Sequence, residues 1–224
     1  MFSTEPIFSI GILEVHGNTL TTWFLMIALT ILCLYLTRGL SVMPTTKRQV
    51  ALELAVEKLL HFLTPFMGKR ELAEQYFPVI GSFFFIILAG NYSGLLPGAG
   101  RVAGFQAPTG TLSYCIGLAL FSMIYAEYSG FKRKGIHYLK HVVSPNPVML
   151  PMNLMELGIK PLSLSLRLFG NIYGEEILVA GIFSLFPAVV PVPFMFLSMF
   201  FGLIQAAVFT ILSATYVASA VGAE

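Results

Sequence analysis

The sequence predicts an all-α integral membrane protein in which five helices cross the bilayer and one amphipathic helix lies in its interface. The 224-residue chain is 56% hydrophobic and only 11% charged, whereas an average soluble domain carries about 25% charged residues. Its apolar runs approach the roughly 20 residues that a spanning helix needs, and they lack the alternation of an outer-membrane barrel. Lys and Arg cluster in two of the connections, as expected for cytoplasmic loops.

Six helical segments follow from the distribution of apolar and charged residues. The uncharged run from Leu20 to Thr37 is long enough to span a bilayer. Between Thr46 and Phe66, apolar and charged residues are interleaved with helical spacing, which is typical of a helix in the interface. The predicted segments are an outer N-terminal segment at 1–19, spans at 20–37, 76–97 and 110–127, the interfacial helix at 46–66, and two long helices at 148–186 and 194–221.

The last two helices are predicted to form a long tilted hairpin. The segment 148–186 has about 39 residues, nearly twice what a perpendicular span needs, so it must tilt, break or begin outside the bilayer. Three prolines, Pro187, Pro191 and Pro193, separate it from the segment 194–221 and favour a turn there. The two segments are therefore expected to run antiparallel.

The positions of Lys and Arg predict the orientation of the chain. Six of these residues lie between positions 38 and 77 and four between 129 and 147, whereas the loop at 98–109 has only Arg101 and the N-terminal segment has none. Because cytoplasmic loops carry the excess of positive charge, we expect the N-terminus outside and the C-terminus in the cytoplasm.

The composition excludes several classes of function. All 11 acidic residues are Glu, so neither an Asp-dyad intramembrane protease nor an aspartyl-phosphate pump fits. The four histidines form no His-Glu-x-x-His or similar cluster, so no metal site and no cofactor is predicted. Cys33 and Cys115 lie inside apolar runs, as small packing residues do. No basic stripe suggests nucleic acid, and no inverted repeat supports a secondary carrier.

Arg167 is the residue on which the functional prediction centres, because it lies inside an otherwise membrane-like helix. A charged side chain at mid-bilayer costs about 2.5–3.5 kcal/mol on insertion scales, so such residues usually face a water-filled path or a charged partner. No acidic residue lies three or four positions away to neutralise it. Its counter-charge is therefore expected from elsewhere.

Polar residues form a stripe on the same helix. At about 100° per residue, five of them share one side, and these are Glu156, Lys160, Arg167, Asn171 and Glu175. Glu176 falls on the opposite side. Such a stripe must face another helix, a partner or water. Glu156 and Lys160 also fit an ordinary i,i+4 ion pair near the inner surface, and Asn171 also fits a plain bond to a neighbouring helix.

The last helix carries no charge before Glu224, yet it has polar side chains that can support the site. Small residues such as Ala206 allow another helix to approach closely. Gln205, on an antiparallel neighbour, is expected to orient Arg167. Ser198 and Ser213 are expected to join the polar stripe in a supporting role.

The segment Arg167-Leu-Phe-Gly-Asn171 makes the chain resemble subunit a of bacterial rotary F-type ATP synthases. The matching pieces are Asn91-Tyr-Ser-Gly-Leu-Leu-Pro97, Pro108-Thr109, Lys160-Pro-Leu-Ser-Leu-Ser-Leu-Arg167-Leu-Phe-Gly-Asn171, the acidic residue just beyond, and Gln205. The likeness covers nearly the whole chain and is strongest between Asn153 and Glu176.

The resemblance implies a non-catalytic stator that lies beside a rotating ring of c subunits in a bacterial plasma membrane and assembles with b-type peripheral stalk subunits. Two offset half-channels would lead H⁺ or Na⁺ to and from the ring. Arg167 matches the essential arginine, and Asn171, Glu176 and Gln205 match other polar positions of the ion path. Which ion is carried stays open, because the selecting carboxylate lies on the ring.

Three departures from the family's pattern concern the outer half-channel. Glu175 stands before Glu176 where many members have Gly, so either carboxylate could serve that path. Gly110-Thr111-Leu112-Ser113 replaces a segment with Asp or Asn, and Ser198 stands where some members have an ionisable residue.

Two other functions compete with this interpretation. A stand-alone channel or secondary carrier would catalyse selective flux without any ring. A purely structural membrane scaffold would tolerate neutral substitutions along the polar stripe.

Overall fold

The computed structural model of the protein describes residues 8–10, 13–15, 17–39, 46–95, 107–135, 150–185 and 191–222. This part of the chain is helical apart from one short antiparallel pair of strands. Its elements are β1 (Phe8–Ile10), β2 (Leu13–Val15), α1 (Gly17–Thr37), α2 (Lys47–Met67), α3 (Arg70–Ser93), a 3₁₀ turn (Pro108–Gly110), α4 (Leu112–Lys134), α5 (Leu150–Leu185) and α6 (Pro191–Val221).

The strand pair is an element that the sequence pattern did not predict. Phe8 lies opposite Val15, and Ile10 lies opposite Leu13. These side chains favour extended backbone, but three-residue strands are too short to show a clear period of two.

Helices α3 and α4 extend furthest beyond the apolar runs from which they were predicted. Helix α3 begins at Arg70 rather than at 76, because Gly68 ends α2 with φ of 76° and the next helix starts directly after Lys69. Helix α4 continues to Lys134 rather than 127, since its last turn carries three cations that interact favourably with the helix dipole. Hydropathy detects the apolar part of such helices and not their charged ends.

Within the described residues, three helices are long and apolar enough to cross a membrane, at Thr19–Thr37, Arg70–Ser93 and Val192–Val221. The count of five crossings and the tilted hairpin of α5 and α6 stay predictions. The turn proposed at Pro187 and most of the loop at 98–109 lie outside the described residues.

Helix α6 is the centre of the helical packing, since it contacts α2, α3, α4 and α5. Two hydrophobic clusters lie along it. One joins α2, α3, α4 and α6 through residues such as Leu63, Ile80 and Val217. The other joins α3, α4, α5 and α6 through residues such as Ile87, Leu168 and Phe209. Association of helices in lipid depends on such close packing, so α6 fixes the position of its neighbours.

Helix α2 buries one side against this core and leaves the other sides open. Leu59, Leu63 and Met67 are buried, whereas Phe62 and Phe66 remain 42% and 40% exposed. Near its start, the Arg48 guanidinium donates to the Tyr35 hydroxyl of α1 over 2.8 Å. An exposed apolar side next to charged residues suits the predicted place in the interface.

Candidate ion path

Arg167 lies on the open side of a helix that is anchored by its other side. Leu164 and Leu168 are 1% and 0% exposed and hold α5 in the second hydrophobic cluster. The Arg167 side chain is exposed, and among the described residues it makes no hydrogen bond or ion pair. The packing of α5 therefore presents the guanidinium on an open face of the bundle.

Asn171 and Gln205 join α5 to α6 one turn beyond Arg167. The Asn171 amide donates from Nδ2 to Oε1 of Gln205 over 2.6 Å. Gln205 is only 2% exposed. The expectation that Gln205 orients Arg167 stays a prediction, since the hydrogen bond that the structure shows for Gln205 is the one with Asn171. Gln205 thus holds the Asn171 side chain at the contact between the two helices.

Two further contacts continue the same seam in both directions. Toward the end of α5, the Glu175 carboxylate lies near the buried Ser198 hydroxyl of α6. Toward its start, Lys160 Nζ lies 5.5 Å from the centroid of the Tyr216 ring, a geometry suited to a cation–π interaction. The predicted polar stripe is therefore largely a seam between two antiparallel helices.

Besides Arg167, which lies on the open face, two predicted members of the stripe are not seen in this seam. Ser213 faces α4 instead, where the Ser122 hydroxyl donates to the Ser213 oxygen over 2.7 Å in a buried position. Helix α6 contacts both α4 and α5, and Ser213 lies at its contact with α4. The Glu156 side chain lies outside the described residues, so its pairing with Lys160 stays a prediction.

Glu176 points toward a different neighbour from Glu175. A Cβ built on Gly110 of the 3₁₀ turn would lie 3.1 Å from each of the two Glu176 carboxylate oxygens. A Cβ on Gly94, at the end of α3, would lie 3.6 Å from Oε1 of the same carboxylate. Successive residues of a helix differ by about 100° in direction. The adjacent carboxylates consequently separate, one toward α6 and one toward the 3₁₀ turn.

Asn91 and Thr109 are polar residues of this region whose roles sequence reasoning did not assign. The Asn91 amide donates from Nδ2 to the Gly202 carbonyl over 2.9 Å, and Asn91 and Thr109 are 5% and 0% exposed. Both occurred in segments that carried the family resemblance, which was the available signal. Nothing in their spacing showed that helix α3 and the 3₁₀ turn would bring them near Glu176.

Three buried polar atoms of this region have no hydrogen-bond partner within the described part of the chain. They are Oδ1 of Asn91, Oγ1 of Thr109 and Nε2 of Gln205. A buried polar group left without a partner costs about 1–3 kcal/mol, and such groups are usually satisfied by protein or by ordered water. The region therefore offers unused acceptors and donors on α3, on the 3₁₀ turn and on α6.

Comparison with known proteins identifies the family. Residues 19–218 match the family described as ATP synthase A chain. The chain belongs to this family. It is also 36% identical, over 95% of its own length and 94% of the relative's, to a protein from Moorella thermoacetica named ATP synthase subunit a. The resemblance inferred from the Arg167 segment is confirmed.

Membership of the ATP synthase A chain family establishes the broad role of the chain. It is a non-catalytic membrane subunit of the ion-translocating sector of an ATP synthase, and such a subunit assembles with a c ring and stalk subunits. Within the described residues, the open face at Arg167 and the polar region around Glu176 are the candidate parts of an ion path.

Proposed function

We propose that this chain passes protons to and from a ring of c subunits through two offset half-channels, and that Arg167 faces the ring carboxylates. One observation carries the proposal. The Arg167 guanidinium lies on an open face of α5 without an ion pair among the described residues, although the helix beneath it is firmly packed. A permanent charge in that position requires a partner from outside the chain.

An arginine suits this position because its guanidinium stays protonated at any working pH. It attracts each carboxylate that arrives with the ring and lowers the affinity of that carboxylate for its cation. It also opposes a direct leak of cations between the two half-channels. The ion must then travel round with the ring, which couples its passage to rotation.

The outer half-channel is proposed to lead through the region of Glu176, Thr109, Asn91 and Gln205. The unpartnered buried atoms of the last three residues support this route, because polar cavities in proteins bind ordered water through such groups. Asn171 then connects the region to the open face of α5 through its bond to Gln205. The other end of α4 carries three cations, at Lys132, Arg133 and Lys134. Because cytoplasmic ends of membrane helices are rich in Lys and Arg, these cations support placing that end of α4 in the cytoplasm and Gly110 toward the outside.

A proton is the proposed ion, because carboxylates are the usual members of proton relays inside membranes and Glu175 and Glu176 both lie near this route. A membrane potential of 100 mV supplies about 2.3 kcal/mol for each charge that crosses. The free energy of several protons must therefore be combined to make each ATP, and rotation of the ring combines it. Stalk subunits of the b type are proposed to hold this chain stationary against the ring.

Proton pumping by the whole complex tests the proposal. The complex containing this chain, reconstituted in vesicles, is expected to acidify the lumen on addition of ATP and to do so equally with and without Na⁺. Carbodiimide labelling of the ring carboxylate is expected to be insensitive to Na⁺. Protection of that carboxylate by Na⁺ would show that sodium is the coupling ion, and selective flux by the purified chain without any ring would contradict the stator role.

Asn171 and Gln205 are expected to contribute to ion flux together, through the hydrogen bond that joins them. Replacing either residue with Leu should slow ATP-driven pumping about tenfold, and the double replacement should slow it little further, since each single change already breaks the bond. The measurement is a double-mutant cycle on pumping rates at equal amounts of assembled complex. Independent, multiplying losses would show that the two amides act separately.

A further inference from the structure

Gly110 lies where any side chain would meet the Glu176 carboxylate. Its added Cβ would be 3.1 Å from both carboxylate oxygens and 3.3 Å from the carboxyl carbon. Contacts of this length are shorter than ordinary van der Waals contact, so the carboxylate would have to move. All three nearest atoms belong to Glu176, so the space beside Gly110 is occupied by that one side chain.

The backbone of Gly110 does not itself require glycine. Among the described residues, positive φ angles occur only at Gly39, Gly68, Gly135 and Gly222. Gly110 closes the 3₁₀ turn with an ordinary bond, in which its N–H donates to the Ala107 carbonyl over 3.1 Å. The structural reason for glycine at this position is therefore the room it leaves for Glu176.

Glu175 cannot take the same place while it keeps its own contact. Its carboxylate lies near Ser198 on α6, and about 100° of helix rotation separates it from Glu176. Thr109, the residue before Gly110, contributes one of the unpartnered buried oxygens. Glu176 is the carboxylate that lies against Gly110 of the 3₁₀ turn and near Gly94 at the end of α3.

We propose that Gly110 is a positioning residue, which seats the Glu176 carboxylate beside Thr109 and so makes Glu176, and not Glu175, the carboxylate that serves the outer half-channel. The inference rests on the proposed function and extends it to a residue with no ionisable group. Because glycine has no side chain, position 110 affects the ion path only by leaving room for the Glu176 carboxylate. A change that shortens Glu176 should therefore compensate for a side chain at 110.

The test compares Gly110→Ala, Gly110→Val and the double variant Gly110→Ala with Glu176→Asp in the reconstituted complex. Since a displacement of about 1 Å can cost up to about 100-fold in rate, we expect pumping to fall about threefold with Ala and more than tenfold with Val. Asp withdraws the carboxylate by one bond of about 1.5 Å. The double variant is therefore expected to pump faster than Gly110→Ala alone, whereas Glu176→Asp beside the native Gly110 should pump more slowly than wild type.

Gly117→Ala is the matched control, because it adds the same methyl group to the neighbouring helix α4 at a position with nothing within 4 Å. It is expected to pump like wild type. The amount of this chain that copurifies with the complex is measured for each variant. If Gly110→Ala assembles poorly and the added Glu176→Asp restores assembly, the proposal is also supported, because the second change relieves the same steric clash.

Three results would overturn the inference. The first is wild-type pumping by both Gly110 variants, and the second is a loss of pumping or assembly that Glu176→Asp does not relieve. The third is a wild-type complex that does not pump at all. That result would also contradict the proposed function. It is told apart from the first two because it is seen in the wild-type complex, before any residue is replaced.

Discussion

Replacing Arg167 with Ala is expected to abolish ion-driven ATP synthesis while leaving the complex assembled. The residue is exposed on α5 and forms no ion pair among the described residues, so its removal breaks no contact that the described structure needs. It does remove the fixed positive charge to which, in the proposed mechanism, a ring carboxylate responds. Synthesis is measured in vesicles energised by a pH gradient and a membrane potential.

Arg167→Lys is expected to lose most of the synthesis as well, because an ammonium group presents a point charge and shifts its protonation more readily in a dry environment. Arg70→Ala serves as the control. Arg70 is also exposed, and its ion pair with Glu74, at 2.8 Å, is an i,i+4 surface pair that contributes little. Normal synthesis by Arg167→Ala would contradict the proposed mechanism.

Glu176→Gln is expected to reduce proton conduction much more than Glu175→Gln. An amide keeps the shape of the side chain but cannot accept and release a proton at working pH, so a relay through that position stops. We expect a loss of at least about tenfold, in the range by which positioned acid–base groups contribute. Glu175→Gln keeps a polar group beside Ser198 and should lose less.

Passive proton flux through the membrane sector, after removal of the soluble catalytic part, measures this difference directly. Glu74→Gln, on the exposed charged end of α3, is the control and should conduct like wild type. A larger loss with Glu175→Gln than with Glu176→Gln would assign the outer half-channel to Glu175 and reverse the order proposed from Gly110.

The position of Arg167 explains how a costly charge can be kept in this fold. The four-residue spacing of Leu164, Leu168 and Ile172 buries one face of α5, and Arg167 lies roughly a quarter turn away from that face. The hydrophobic contacts therefore hold the helix without enclosing the guanidinium. The same arrangement places Asn171 at the edge of the buried face, where it reaches Gln205.

Much of the ion path was visible in the sequence because charge and periodicity are local properties. An uncompensated Arg167, the polar residues that follow it at helical intervals, and the family pattern around Asn171 all identify the central helix without coordinates. Periodicity also placed Glu175 and Glu176 in different directions, which the contacts with Ser198 and Gly110 reflect.

Which residues meet across the helices could be decided only by tertiary packing. The sequence alone determined a membrane protein built of helices and its family, and it predicted an arginine whose partner comes from another chain. The structure decided that Gln205 holds Asn171, that Ser213 faces Ser122 on α4, and that Gly110 leaves its space to Glu176. The physical reason is that hydrophobicity fixes which face of a helix is buried, whereas the rotation and height of each neighbour depend on how all the side chains of the bundle fit together.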